Sequence, residues 1–177
     1  FNKVNNNTIL LPNYPTMEIF SKLTRNRKAF FGGEIRLIYV GLLNRKRGLF
    51  NMLSLVKELV KEIDVKLILI GKMDVNDEKL FHQQVDKFNL SGNIELKGFL
   101  SHTDTIQCLL EADVGLHLFE DVERYRWTET VKVFEYMAAG LSSISISYLT
   151  ATKKLIDEEK IGLVISSDSK DCGAKET

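Results

Sequence analysis

The 177-residue chain contains only two prolines and two cysteines, and no long hydrophobic run. Cys108 and Cys172 lie 64 residues apart without a CxxC motif, which is typical of a reduced cytoplasmic protein. The three histidines are scattered and show no metal-ligand spacing. The apolar runs, such as residues 37–43, are far shorter than the roughly 20 residues of a membrane helix.

An excess of charge of one sign is also missing, because 24 Lys and Arg balance 24 Asp and Glu. This balance gives no support to a protein that binds nucleic acid through bulk positive charge. The zero total hides an asymmetry, since residues 1–47 carry nine basic and two acidic side chains. The basic part is therefore either a solvated surface or part of an anion site.

Apolar patterning predicts alternating strands and helices from residue 34 onward. The predicted strands are 35–40, 65–70, 93–96, 113–119, 143–147 and 163–165, and the predicted helices are 48–63, 77–89, 102–112, 130–139 and 150–160. Mostly continuous apolar strands are typical of a parallel sheet with helices on both faces. Right-handed crossovers then favour an α/β fold, a doubly wound Rossmann-like six-stranded parallel sheet in the order 3-2-1-4-5-6.

Domain organisation is predicted from the same pattern. Residues 1–33, with both prolines and about one helical turn, form a leading linker segment. Residues 34–166 form the Rossmann-like domain, and the polar residues 167–177 form a frayed tail. Ser101 or Thr103 is expected to cap one helix, and Gly140 and Gly162 to close two others.

The predicted strand order places a ligand crevice between the first and fourth strands, walled by loops 41–48 and 119–130. The first loop lacks the GxGxxG dinucleotide fingerprint. It does contain Arg45, Lys46 and Arg47, and backbone amides with an arginine fork suit a diphosphate. A solvated charged turn is the alternative interpretation.

Two further groups of residues face this crevice in the prediction. Lys132 and Glu135 share a helix face, where Lys132 could meet an anion and Glu135 a ribose diol, or the two form an ordinary ion pair. Arg124, Arg126 and Trp127 form a candidate lid over a sugar or diphosphate, or they pack on their own scaffold. His117 and Cys108 are expected to serve packing rather than chemistry.

The stretch KVFEYMAAG at residues 132–140 resembles the KxFEYMAxG signature of group 1 (family 4) glycosyltransferases. That signature lies in the nucleotide-sugar-binding, C-terminal domain of the GT-B fold. Other segments resemble the family in the same order, over about residues 8–166. They are PNYP at 12–15, YVG at 39–41 with RG at 47–48, LIG at 69–71, IELKGFLS at 94–101 and EADVGL at 111–116.

The resemblance implies roles for individual residues of a nucleoside-diphosphate-sugar site. The implied set is Arg47 and Lys132 for the donor diphosphate, Glu135 for the ribose, and a base-binding loop of Gly98, Phe99, Leu100 and Ser101. No catalytic residue is assigned, since the catalytic groups are expected in an N-terminal domain. That acceptor domain and the closing helices are expected to lie outside this chain.

The implied activity is retaining transfer of a sugar from a UDP- or GDP-type donor to a polysaccharide or glycolipid acceptor. The resemblance implies no cofactor and no obligatory metal, because basic side chains can stabilise the leaving diphosphate. Its implied partners are the donor, a saccharide or lipid-linked acceptor and its own N-terminal domain, with no nucleic acid. We expect a cytoplasmic location, with peripheral association of the full-length protein at the inner face of the membrane, and no transfer by this chain alone.

Three positions depart from the family pattern. Trp127 stands where a second glutamate is expected, Leu42 where an arginine often follows the first-strand glycine, and Ser142 where a proline is usual. Two alternatives remain: a GT-B-like sugar-nucleotide epimerase, and a non-catalytic nucleotide-binding or interaction module. A receiver-like module is disfavoured, because Gly41 stands where its acidic pair is required.

Overall fold

The computed structural model describes residues 14–23, 33–127 and 131–166. The strands in these ranges are β1 Ile35–Val40, β2 Val65–Ile70, β3 Ile94–Gly98, β4 Val114–His117, β5 Ser142–Ile146 and β6 Gly162–Ile165. The helices are α1 Met17–Lys22, α2 Leu49–Leu59, α3 Val75–Lys87, α4 His102–Leu110, α5 Glu123–Arg126, α6 Val131–Ala138 and α7 Thr150–Glu159, with a 3₁₀ turn at Arg45–Arg47.

The sheet has the predicted order β3-β2-β1-β4-β5-β6, and every neighbouring pair is parallel. β1 pairs with β2 along its whole length and with β4 on its other side, where Leu37 lies opposite Val114. The winding of the chain therefore reverses at β1. The carboxyl ends of β1 and β4 flank the crevice in which an open α/β sheet binds ligands.

Alternate side chains of β1 enter two separate cores. Leu37 and Tyr39 pack with α2 and α3, whereas Ile38 and Val40 pack with α4 and α6. All four side chains are buried, since none is more than 8% exposed. Burial on both faces explains why the strand is a continuous apolar run, and it confirms the predicted layering of helices on both sides of the sheet.

Several boundaries differ from the predicted ones. α2 ends at Leu59 rather than at residue 63, and Asp74 starts α3 early by accepting a hydrogen bond from the Asn76 amide. The left-handed residue that ends α7 is Lys160, at φ +54°, two residues before Gly162, which begins β6. Ser101 caps α4, and Gly140 adopts the expected positive φ of 70° after α6.

The loop 119–130 contains a short helix, α5, that the apolar pattern does not indicate. α1 is also better formed than a single turn, and its Phe20 is 7% exposed in the core on the α4 and α6 side. The basic lead-in at 24–28, the tail 167–177 and the residues 128–130 before α6 lie outside the described residues.

Candidate functional site

The loop after β1 lies directly against the segment that follows β4. Asn51 donates a hydrogen bond to the Leu118 carbonyl over 2.8 Å, and the Glu120 amide donates to the Lys46 carbonyl over 3.1 Å. Gly48 is in the left-handed region at φ +80°, and a Cβ there would lie 1.9 Å from the Leu118 oxygen. Only glycine therefore allows this close approach of the two crevice walls.

Side-chain caps hold the 3₁₀ turn Arg45–Arg47 in place. The Asn44 side-chain oxygen accepts from the Arg47 amide at 2.9 Å, and Asp77 accepts from the Arg45 amide at 2.7 Å. The Arg45 amide is a donor that a short turn leaves without a helical partner, whereas the Arg47 amide also donates to the Asn44 carbonyl over 3.1 Å. The basic run is thus an ordered turn at the carboxyl end of β1.

The Arg47 side chain packs on two aromatic rings. Its guanidinium carbon lies 4.9 Å from the ring centroid of Phe119 and 4.9 Å from that of Tyr125. Arg45 points elsewhere, over the Phe50 ring at 5.1 Å. Of the two arginines in the turn, Arg47 is therefore the one that contacts the β4 side of the crevice.

Lys132 and Glu135 form an ion pair near the start of α6. The Lys132 Nζ lies 2.7 Å from a Glu135 carboxylate oxygen, and the glutamate is 9% exposed. Lys132 also lines the cleft described next, whereas Glu135 does not. The pair is the ordinary i,i+3 contact that the spacing allows, and it also places a buried carboxylate beside the cleft.

A cleft of about 520 Å³ lies beside the carboxyl ends of β1 and β2. It is lined by Val40, Gly41, Leu42, Ile70, Gly71, Lys72, Phe99, Leu100, His102, Thr105 and Lys132. This lining combines an apolar floor with two lysines and a histidine, and among the described residues it includes no carboxylate. Such a surface suits a ligand with a flat apolar group and an anionic end.

The loop Gly98–Ser101 contributes to this cleft in part. Phe99 and Leu100 line it, and Phe99 is 87% exposed. Gly98 has a φ of +66°, and its carbonyl accepts a hydrogen bond of 2.8 Å from the Gly71 amide. Ser101 instead caps α4, accepting from the Asp104 amide at 3.2 Å.

The candidate lid residues lie on and just after α5. Arg126 makes hydrogen bonds of 2.7 and 2.6 Å to the Asp121 carboxylate, and Arg124 donates to the Tyr125 hydroxyl over 3.0 Å. Tyr125 is 7% exposed, whereas Trp127 is 74% exposed. The segment thus packs on its own scaffold through Tyr125 and Arg126, and it presents Trp127 to solvent.

Lys72 and His102 are the cleft residues that the sequence analysis missed. Parallel pairing continues past the strands, because Val40 lies opposite Ile70 and Leu43 bridges to Met73. Leu42 is therefore the lateral neighbour of Lys72. The sequence contains a signal for Lys72, since Leu42 and Lys72 each directly follow a glycine that comes after a strand.

Other titratable residues have packing roles. His117 is fully buried between the Phe119 and Tyr136 rings, and burial, followed by the nearby Lys132 charge, lowers its pKa to about 3. Cys108 packs against the core, and burial raises its pKa.

Within the described ranges, no group of three His, Cys, Asp or Glu side chains could hold a metal ion, and no helix is long and apolar enough to cross a membrane.

A family model described as glycosyl transferases group 1 matches residues 20–175. Because the match spans most of the sequence, the chain belongs to the group 1 glycosyltransferases. No curated protein sequence matches the chain. The family membership confirms the resemblance carried by the KVFEYMAAG stretch.

Solved structures share the fold at low sequence identity. WaaG, a glycosyltransferase involved in lipopolysaccharide biosynthesis, has 18% identity and a TM-score of 0.63 over 90% of this chain and 40% of its own. The C-terminal domain of the group 1 family protein LpcC from Francisella tularensis has 16% identity and a TM-score of 0.63 over 88% of this chain and 78% of that domain.

A third structure was solved with ligands. Anabaena Alr3699/HepE, in complex with UDP and glucose, has 17% identity and a TM-score of 0.61 over 75% of this chain. The present chain spans 40% of WaaG and 34% of Alr3699/HepE. It therefore corresponds to less than half of either protein, in the GT-B C-terminal domain-like region.

Proposed function

We propose that this domain is the donor-binding half of a retaining glycosyltransferase. Its donor is a nucleoside-diphosphate sugar of the UDP or GDP type, and its acceptor is a polysaccharide or glycolipid. The observation that carries the proposal is the cleft at the carboxyl ends of β1 and β2, whose described lining has basic side chains and no carboxylate. The UDP and glucose bound by the structural relative Alr3699/HepE support this ligand class.

The proposal assigns a group of residues to each part of the donor. Arg47 and Lys132 bind the diphosphate, and Glu135 accepts hydrogen bonds from the ribose diol. The loop of Gly98, Phe99, Leu100 and Ser101 holds the base over the apolar part of the cleft. Arg124, Arg126 and Trp127 border the sugar end.

Lys72 adds a further charge to the same cleft. It lies beside Leu42, which stands where the family pattern has an arginine. Lys72, just after β2, can restore positive potential that Leu42, just after β1, does not provide, because the two positions are neighbours. We therefore assign Lys72 to the phosphate end of the donor.

The chemical contribution of this half is electrostatic. Glycosyl transfer places negative charge on the departing nucleoside diphosphate, and fixed cations stabilise that charge in the transition state. In this domain the fixed cations are Arg47, Lys132 and Lys72. The catalytic groups and the acceptor site belong to an N-terminal domain, so the 177-residue chain alone is expected not to transfer sugar.

The domain limits and location follow the same proposal. Residues 34–166 carry the donor site, with 1–33 as a linker and 167–177 as a tail. We place the domain in the cytoplasm, where its two cysteines stay reduced. The full-length protein would associate peripherally with the inner face of the membrane to reach lipid-linked acceptors.

A binding screen tests the proposal. The wild-type domain is titrated with UDP, GDP and ADP and with their glucose conjugates, and melting temperature and calorimetric affinity are recorded. At ten times its Kd, a matching nucleotide should raise the melting temperature by about 3–5 °C. No response to any nucleoside diphosphate would remove the donor-domain assignment.

A further inference from the structure

Two aromatic rings from the β4 side of the crevice lie against the Arg47 guanidinium. The ring centroids of Phe119 and Tyr125 lie 5.3 Å apart with an interplanar angle of 63°, and each is 4.9 Å from the arginine Cζ. Phe119 follows β4, whereas Tyr125 belongs to α5. Arg47 therefore ties the loop after β1 to both.

The rings are themselves fixed. Phe119 is 2% exposed, it contacts the Tyr39 ring edge-on at 6.3 Å, and its carbonyl accepts a hydrogen bond from the Tyr148 hydroxyl. Tyr125 is 7% exposed, and Arg124 stacks over its ring at 4.9 Å. The two rings that contact Arg47 are therefore buried parts of the core.

Stacking engages the faces of a guanidinium and leaves its in-plane N–H groups for an anion. In the described part of the chain, no hydrogen bond or ion pair is recorded for the Arg47 guanidinium. We propose that Tyr125, with Phe119, is a positioning residue that holds Arg47 for the donor diphosphate. This inference rests on the proposed function, and it makes α5 a fixed support rather than a moving lid.

The physical gain is preorganisation. A free arginine loses side-chain entropy when it binds an anion, and an arginine already packed against two rings has less to lose. Removing the Tyr125 ring should therefore weaken diphosphate binding without changing contacts to the nucleoside. Keeping the ring but removing its hydroxyl should preserve both diphosphate binding and nucleoside binding.

The test compares Tyr125→Leu, Tyr125→Met and Tyr125→Phe. Affinities are measured for UDP and uridine, or for GDP and guanosine if the screen selects guanine. The Leu and Met variants should bind the diphosphate about 10-fold more weakly, with nucleoside affinity unchanged, and the Phe variant should match wild type. Two non-aromatic variants are used so that one unstable protein does not end the test.

Phe50→Leu is the matched control, since it removes the ring beneath Arg45 in the same turn. It should leave both affinities unchanged. Side-chain ¹H–¹⁵N spectra provide a readout without ligand: the Arg47 Nε–H resonance should shift in Tyr125→Leu, where only the Phe119 ring remains, and should keep its wild-type position in Tyr125→Phe.

The outcomes separate the two proposals. Wild-type diphosphate affinity in the Leu and Met variants, or an equal loss for diphosphate and nucleoside, overturns the positioning role and leaves the donor-domain proposal intact. A wild-type domain that binds no nucleoside diphosphate overturns the proposed function and this inference together.

Discussion

Arg47 and Lys132 are both assigned to the donor diphosphate, but the fold holds them in different ways. Arg47 packs against rings, which carry no net charge, whereas Lys132 lies 2.7 Å from a Glu135 carboxylate oxygen. The first arrangement keeps a full positive charge for a ligand, and the second is close to neutral. We infer that Arg47 dominates diphosphate binding. Lys132 contributes less unless Glu135 binds the ribose instead of the lysine.

The largest effect is expected when the backbone beneath Arg47 is disturbed. Gly48→Ala forces a Cβ to within 1.9 Å of the Leu118 oxygen at a positive φ of 80°. The free energy of unfolding should fall by about 3 kcal/mol or more, which denaturant unfolding measures. Gly92→Ala is the control, since a Cβ there meets nothing within 4 Å; equal stability of the two variants would show that the turn is not fixed against the β4 segment.

The next largest effect is expected when the charge of Arg47, which packs on the two rings, is removed. Arg47→Ala should weaken UDP binding about 100-fold while uridine binding changes less than two-fold, because only the diphosphate is contacted. Arg45→Ala removes a neighbouring arginine from the same turn and should change neither affinity. Similar losses of UDP and uridine binding in Arg47→Ala would mean that Arg47 does not touch the diphosphate.

The smallest effect tests the paired side. Glu135→Ala should weaken uridine binding about 20-fold, since it removes a charged acceptor for the ribose. Its effect on UDP should be smaller, because the freed Lys132 can then bind phosphate with its full charge. Calorimetry with both ligands gives the comparison, and wild-type affinity for uridine would return Glu135 to a purely structural ion pair.

The sheet order was predictable because it follows from local patterns and few topological rules. β1 and β2 are mostly apolar runs, each followed by a glycine, and right-handed crossovers leave few orders for such strands. That order alone predicts a crevice between β1 and β4 with walls at 41–48 and 119–130, whereas the cleft lies beside β1 and β2, and none of residues 119–127 lines it. Boundaries such as the end of α2 were less predictable, since Ile63 continues the apolar pattern but lies beyond the helix and is 38% exposed.

The surroundings of the site residues were not predictable in the same way. The rings that hold Arg47 lie 72 and 78 residues further along the chain, and no local spacing links them to it. α5 is only four residues long and has no apolar period, so Tyr125 looked like part of a loop. Lys72 could have been found, because its place after a strand-ending glycine matches that of Leu42.

The buried histidine behind the crevice has a consequence for acid tolerance. His117 has a pKa of about 3 in the fold, below the value of about 6.5 expected for an unfolded chain. Between these values the unfolded state binds one more proton, so stability falls as the pH falls, by up to about 1.4 kcal/mol per unit. Mild acid would therefore weaken the fold while the lysines and arginines of the ligand site keep their positive charge, so a loss of ligand binding in acid would report unfolding rather than a loss of site charge.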